Sequence, residues 1–358
     1  MVEIGDEPWR LLLNAILPPL GNKWHPYRKK DSKIRRRICE GGTMTSQNLG
    51  PLAFIFVILT QPVPGQVQEL KPSKIIRLSD SIPNDFEDER FVTSTMLSRN
   101  GDLYFVVSSQ HRTGILRTDS SLQRKSWIVL PGGFSYVRSF DVDEDGNAYF
   151  LRDIQRPQRQ VFTEFDSSGN LVTSRISPEF GDKICWSGNG LAFVSADAIF
   201  TGADGTSEPN KHPYPPFASR YGLLVAPIPD GRIVVTDPVD AEIRIVRPAT
   251  GETVVLRPQH PSIRPDPTAG VAAIEPVTTN EDGLLFVAPA PYRQDHALIL
   301  EMDEHGDLKG TYDVVLPVVS QEADWKKTLG RDAIAVSGRD LYVLDRRGIV
   351  ATYNLGKR

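Results

Sequence analysis

The chain has 358 residues, 40% of them hydrophobic and 24% charged, which suits one large all-β domain or two smaller ones and excludes a chain too polar to fold. Nine of the 41 basic and five of the 45 acidic residues lie within residues 1–65, so the remainder carries 32 basic against 40 acidic residues, a net charge of −8. That balance argues against a nucleic-acid-binding surface, which needs a basic face to displace counterions, and two cysteines, Cys39 and Cys185, exclude a disulfide framework.

Residues 1–43 resemble neither a folded domain nor a usual signal n-region and are read as an upstream extension or leader. Met44 precedes the apolar run Leu52 to Leu59, and Glu40-Gly41-Gly42 has the composition of a translated ribosome-binding site, which points to a bacterial start at Met44. The run has the length of a signal h-region and is far shorter than the roughly 20 residues of a membrane span. Val63 and Gly65 place small residues for cleavage before Gln66. The expectation is a signal peptide over 44–65, export to the periplasm or beyond, and no membrane span in the mature chain. Cys185, then unpaired, is expected to be a buried small apolar residue.

From residue 66 onward the chain repeats itself. Six segments set a turn glycine before an alternating apolar strand: Gly101 before Leu103 to Val106, Gly146 before Ala148 to Leu151, Gly190 before Leu191 to Val194, Gly231 before Ile233 to Val235, Gly283 before Leu284 to Val287, and Gly338 before Leu341 to Val343. Second turns follow at Ser120-Ser121, Gly169, Gly205, Gly251, Gly306 and Gly356. Asp-Gly and Asn-Gly suit hairpins because their turn positions need positive φ. Each unit therefore predicts four short antiparallel strands, and six such units predict an all-β, six-bladed β-propeller over 66–358. The last unit ends without room for its outermost strand, so Lys74 to Leu78 is expected to pair beside Ile349 to Asn354 and complete the sixth blade. A short helix is expected at Ser320 to Leu329. The proline-rich stretches Pro209 to Phe217 and Arg257 to Pro267 are either rigid blade connections or contact surfaces that present aromatic side chains.

Ile233-Val234-Val235-Thr236-Asp237, followed by a loop and Glu242-Ile243-Arg244-Ile245-Val246, resembles the NHL type of propeller repeat. Leu341 to Asp345 and Tyr149 to Asp153 resemble its first half, and Ala288-Pro289 departs from it in the fifth unit. The resemblance implies a binding scaffold in many relatives and a hydrolase or lyase in some, so it does not choose a function.

Two readings of the chemistry follow. As a scaffold with no cofactor, the propeller would bind a protein, peptide or glycan at one face, as a monomer. Arg90, Arg138, Arg220 and Arg331, with Lys183, precede the innermost strands and would make a basic channel mouth for an anionic ligand. As a metal-dependent, gluconolactonase-like hydrolase, the propeller would hold a divalent cation such as calcium in its channel, with Asp141, Glu275 and Asp332 as candidate ligands. The histidines His111, His212, His260, His296 and His305 lack close ligand spacing. A nucleophile elbow, a phosphate loop and a Cys-x-x-Cys pair are all missing from the sequence.

Overall fold

A computed structural model describes residues 67–82, 92–108, 112–130, 136–155, 158–176, 181–188, 190–202, 209–217, 223–265, 272–290, 296–317, 329–345 and 348–356. The expected leader and signal peptide lie outside these residues, as does the expected helix apart from Leu329, which opens a strand. Two short strands, β1 (Gln68–Leu70) and β2 (Lys74–Arg77), precede the blades. Blade 1 holds β3 (Val92–Arg99), β4 (Asp102–Ser108), β5 (Thr113–Asp119) and β6 (Arg124–Val129). Blade 2 holds β7 (Tyr136–Val142), β8 (Ala148–Gln155), β9 (Gln158–Phe165) and β10 (Leu171–Ile176). Blade 3 holds β11 (Lys183–Trp186), β12 (Leu191–Val194), β13 (Ala198–Thr201) and β14 (Asn210–Pro213). Blade 4 holds β15 (Leu224–Pro227), β16 (Ile233–Asp237), β17 (Glu242–Arg247) and β18 (Glu252–Leu256). Blade 5 holds β19 (Ile274–Thr279), β20 (Leu285–Pro289), β21 (His296–Met302) and β22 (Leu308–Val315). Blade 6 holds β23 (Leu329–Ser337), β24 (Asp340–Asp345) and β25 (Ile349–Asn354).

The fold is the expected six-bladed propeller. Its first strands surround a central channel, and the ring closes where Asp332 of β23 bridges Thr95 of β3 in the parallel sense. Blade 6 is completed by β2, antiparallel to β25 with Lys74 opposite Thr352 and Arg77 opposite Ile349. A further strand adds itself: β1 lies parallel to β22 and gives blade 5 a fifth strand.

The turns show why the glycines recur. Asn100 and Gly101 both take positive φ (52° and 74°), as a two-residue hairpin of type I′ requires. Four other turns use a different device. Asp143, Asp166, Asn280 and Asp303 each stand three residues before the turn glycine, and each side chain accepts the amide N–H groups two and four residues on, at 2.7–3.1 Å. The side chain satisfies the donors that the turn leaves unpaired, and glycine supplies the positive φ.

Blade stacking explains the near-continuous apolar runs of the second strands. In β4, Leu103, Phe105 and Val107 join the core toward blade 6, whereas Tyr104 and Val106 join the core toward blade 2. In β20, Phe286 and Ala288 face one neighbour and Leu285 and Val287 the other. A strand buried on both faces has no position for a polar alternation. The proline-rich stretch at 209–217 is a connection that packs inward: Tyr214 and Phe217 are buried between blades 3 and 4, and the Arg244 guanidinium lies 3.9 Å from the Phe217 ring centroid. Burial denies these rings to a partner. Cys185 is buried, and desolvation holds its thiol pKa well above the ordinary range.

Candidate functional site

The central channel encloses a cavity of about 80 Å³ lined by the first strand of all six blades. Asp141 on β7 sits at its wall, and both of its oxygens are occupied. Oδ1 accepts the Arg99 guanidinium at 3.0 Å and the Val142 amide at 2.7 Å, while Oδ2 accepts the Trp186 amide at 2.6 Å. Burial opposes the charge on Arg99, but Asp141, joined by Cys185 and Glu144, outweighs it and holds the guanidinium pKa above its ordinary value. Ser139 makes a parallel link, donating to the Ile184 carbonyl and accepting the Ile184 amide. These side chains tie the first three blades together around the axis.

Of the other expected site residues, Arg138, Lys183 and Glu275 are described. Arg138 bonds Asp153 at 3.2 Å and Asp182 at 3.1 Å, and Lys183 lines the cavity and donates to the Arg138 carbonyl at 3.1 Å. Both cations are therefore neighbours on β7 and β11, with Arg138 already facing two carboxylates. Arg90 and Arg220 lie outside the described residues, as do the side chains of Arg331 and Asp332. Glu275 is half-buried on β19, whose channel-lining residues are Val277, Thr278 and Thr279. Asp141 does not suit a cation: a metal at its carboxylate would confront the Arg99 guanidinium.

A larger cleft opens between blades 2 and 3, on the face that carries the first-turn glycines. Its volume is about 660 Å³, within the range of small-ligand and side-chain pockets. Blade 2 supplies Tyr149, Phe162, Glu164, Thr173 and Arg175, blade 3 supplies Trp186 and Leu191, and the Pro248-Ala249 turn of blade 4 closes one end. The Tyr149 and Trp186 rings stack with centroids 5.4 Å apart and planes at 9°. Carboxylates anchor their polar edges: the Tyr149 hydroxyl donates to Asp143 at 2.9 Å and the Trp186 Nε1–H to Glu144 at 2.7 Å. Desolvation, reinforced by Asp143, raises the Tyr149 pKa, so its hydroxyl stays a donor. Arg175 lies over the Phe162 ring, 5.2 Å from its centroid.

Glu164 faces this cleft beside Arg175. Burial raises its carboxyl pKa, Asp143 adds to the shift, and Arg175 opposes it. A raised carboxyl takes up its proton at higher pH in the folded chain than in the unfolded one, so folding stability increases as pH falls through that window and decreases as pH rises. Glu164→Gln removes this contribution. Going from about pH 4 to about pH 7, the variant is expected to gain on the wild type by under about 1 kcal/mol once solvent screening is counted. Urea midpoints measure the difference, and a difference that does not change with pH would place Glu164 in open solvent.

No protein-family model and no curated protein matches the sequence. In fold, the chain is similar to the WD40 repeats of RRP9, with 10% identity and a TM-score of 0.53 over 81% of this chain and 100% of that one. It is similar to U3-55K, with 10% identity and a TM-score of 0.51 over 80% and 100%. It is also similar to a streptogramin B lyase, with 17% identity and a TM-score of 0.45 over 80% and 88%. At these identities the likeness establishes a propeller fold and nothing about activity.

Of the cleft residues, Tyr149, Gly190, Leu191 and Gly231 are read from the sequence as repeat positions, and none as a site residue. A signal was present in the concentration of aromatic residues across blades 2 and 3, at Tyr149, Phe150, Phe162, Phe165, Trp186 and Phe193. Five of these six are fully or nearly fully buried, which is what a propeller core also requires, so the pattern does not separate cleft from core.

Proposed function

We propose that this chain is an exported, non-enzymatic binding module that engages a protein, peptide or glycan partner through the cleft between blades 2 and 3. The observation that carries this reading is the contrast between the two concavities. The cleft offers about 660 Å³ with aromatic walls, a carboxylate and a guanidinium, whereas the channel offers about 80 Å³ and a carboxylate already bound by Arg99. Mostly apolar walls with a few placed polar groups are what recognition sites have in common. The occupied oxygens of Asp141 weigh against the hydrolase reading, which needs a channel carboxylate available to a cation. Export rests on the sequence of residues 44–65.

The test is a defined peptide and glycan array probed with the full chain and with Leu191→Trp, which fills the cleft from its half-buried side. Partners retained by the wild type are expected to bind the variant at least about tenfold more weakly, a difference of about 1.4 kcal/mol. A partner set that is the same for both proteins would overturn the reading.

A further inference from the structure

Resting on that reading of the cleft, we propose that the outer edge of blade 2 accepts an extended peptide from a partner protein as a fifth strand, and that one tryptophan or tyrosine of that peptide enters the cleft. The protein already performs the same addition on itself. In blade 5, β1 lies along the outer strand β22 with Gln68 opposite Tyr312 and Leu70 opposite Val314, and Leu70 is buried in the core between blades 5 and 6. Blade 2 offers the matching edge. Tyr312 and Arg175 stand six residues after their turn glycines, Gly306 and Gly169, and both outer strands pass a register irregularity just after the turn before running straight. In blade 2 the counterpart of Tyr312 is Arg175, which lines the cleft, so the position that Gln68 holds on β1 is the one from which an added strand meets it.

The edge itself is apolar and open among the described residues. Leu171, Val172 and Ile176 of β10 are 50%, 57% and 63% exposed, and β10 pairs only with β9. Proteins guard such edges with charges, proline or a covering segment. Here β6 begins with Arg124 and Lys125, β14 carries Lys211 and ends in Pro213, β2 is flanked by Lys74 and Arg77, and β22 is covered by β1. On β10 the single charged residue, Arg175, is drawn inward over Phe162. The edge of blade 4 also exposes Val254 and Val255, but its flank toward blade 5 is filled by Leu256 and Ile263.

The identity of the entering side chain follows from the carboxylate. Glu164 and Glu301 both stand five residues before their turn glycine. Glu301 is bonded by the Tyr312 hydroxyl and the Arg339 guanidinium, whereas Glu164 receives no hydrogen bond from the described residues. A side chain suited to this gap is large and aromatic to meet Trp186, Phe162 and Leu191, and carries an N–H or O–H donor for Glu164. Strand addition supplies main-chain bonds for affinity, and the cleft reads every second side chain for specificity.

The probes are acetylated, amidated pentapeptides Val-Thr-X-Thr-Val with X varied over Trp, Tyr, Phe and Ala, titrated calorimetrically against the full chain. Binding is expected in the order Trp and Tyr above Phe above Ala, with Tyr at least about fivefold tighter than Phe, and Glu164→Leu is expected to erase the Tyr-over-Phe preference. N-methylation of alternate backbone amides, which removes the strand bonds, is expected to weaken binding at least about tenfold. Ligands that bind equally well when N-methylated would overturn strand addition while leaving the cleft reading intact. No binding by any pentapeptide below about 1 mM overturns the inference as well, and the array with Leu191→Trp then decides the broader reading separately. A purified chain that is a dimer and becomes a monomer on Ile176→Lys would assign the edge to a second copy and overturn a foreign partner.

Discussion

Starting the chain at Leu78 instead of Val67 is expected to cost on the order of 4 kcal/mol and to produce concentration-dependent association. The start at Val67 is expected to match the full chain in urea midpoint. The difference between the two is the segment that contains β1 and β2. Across β2, four residues pair with β25, and the Ser73 amide and hydroxyl both donate to the Thr352 carbonyl. Each main-chain bond contributes about 1 kcal/mol net, so losing this set removes a large part of a domain stability of about 5–15 kcal/mol. The association has a separate cause. Val350 and Ala351 of β25 are buried beneath the added strand, and its loss presents an apolar edge with unpaired donors and acceptors to other chains. Sedimentation and urea denaturation of both truncated chains measure the two effects. A Leu78 start with unchanged midpoint would mean that β2 does not stabilise blade 6.

The second large effect is expected at Glu301. This carboxylate is 1% exposed and accepts the Tyr312 hydroxyl at 2.6 Å and Arg339 Nη1 at 2.8 Å. Arg339 belongs to the first turn of blade 6 and also donates to the Leu355 and Gly356 carbonyls at 3.0 Å, so one guanidinium joins blade 5, blade 6 and the last strand's exit. Desolvation and the neighbouring Glu301 raise the Tyr312 pKa, which keeps the hydroxyl protonated as a donor. Glu301→Ala leaves that hydroxyl without its acceptor and removes one acceptor of the guanidinium, which keeps the Leu355 and Gly356 carbonyls, at a cost of about 2–3 kcal/mol. Glu301→Gln keeps one acceptor and is expected to cost roughly half as much. Because the acceptor is buried, the loss should persist in high salt, unlike that of a surface pair. A change below about 1 kcal/mol for Glu301→Ala would show that the two blades are held by packing alone.

How much of this was legible depends on the distance over which each feature is determined. A blade is a run of adjacent hairpins, so its turn chemistry and strand alternation are written in consecutive residues. Asn100-Gly101 specifies its hairpin within two positions, and Asp143 satisfies amides two and four residues away. Ring closure was also legible, because blade 6 lacked a strand and Lys74 to Leu78 lacked a partner. The partner of Asp141 was not, since Arg99 lies 42 residues earlier on another blade. The fifth strand of blade 5 was hidden for a different reason: Gln68-Glu69-Leu70 has no strand pattern, and its pairing is dictated by the edge it meets.

The sequence by itself determined six units, their turns and the missing strand that completes blade 6, because each follows from local backbone chemistry and periodicity. Only the tertiary structure decided that the second strands are buried on both faces, that the channel wall is tied shut by Arg99 on Asp141, and that the blade 2–3 gap stands open while Leu70, Tyr312 and Arg339 occupy the blade 5–6 gap. An inter-blade gap is bounded by side chains from separate blades and by whatever covers the outer edge. Its volume is set by how those residues meet in space, and neighbouring residues in the chain carry no record of it.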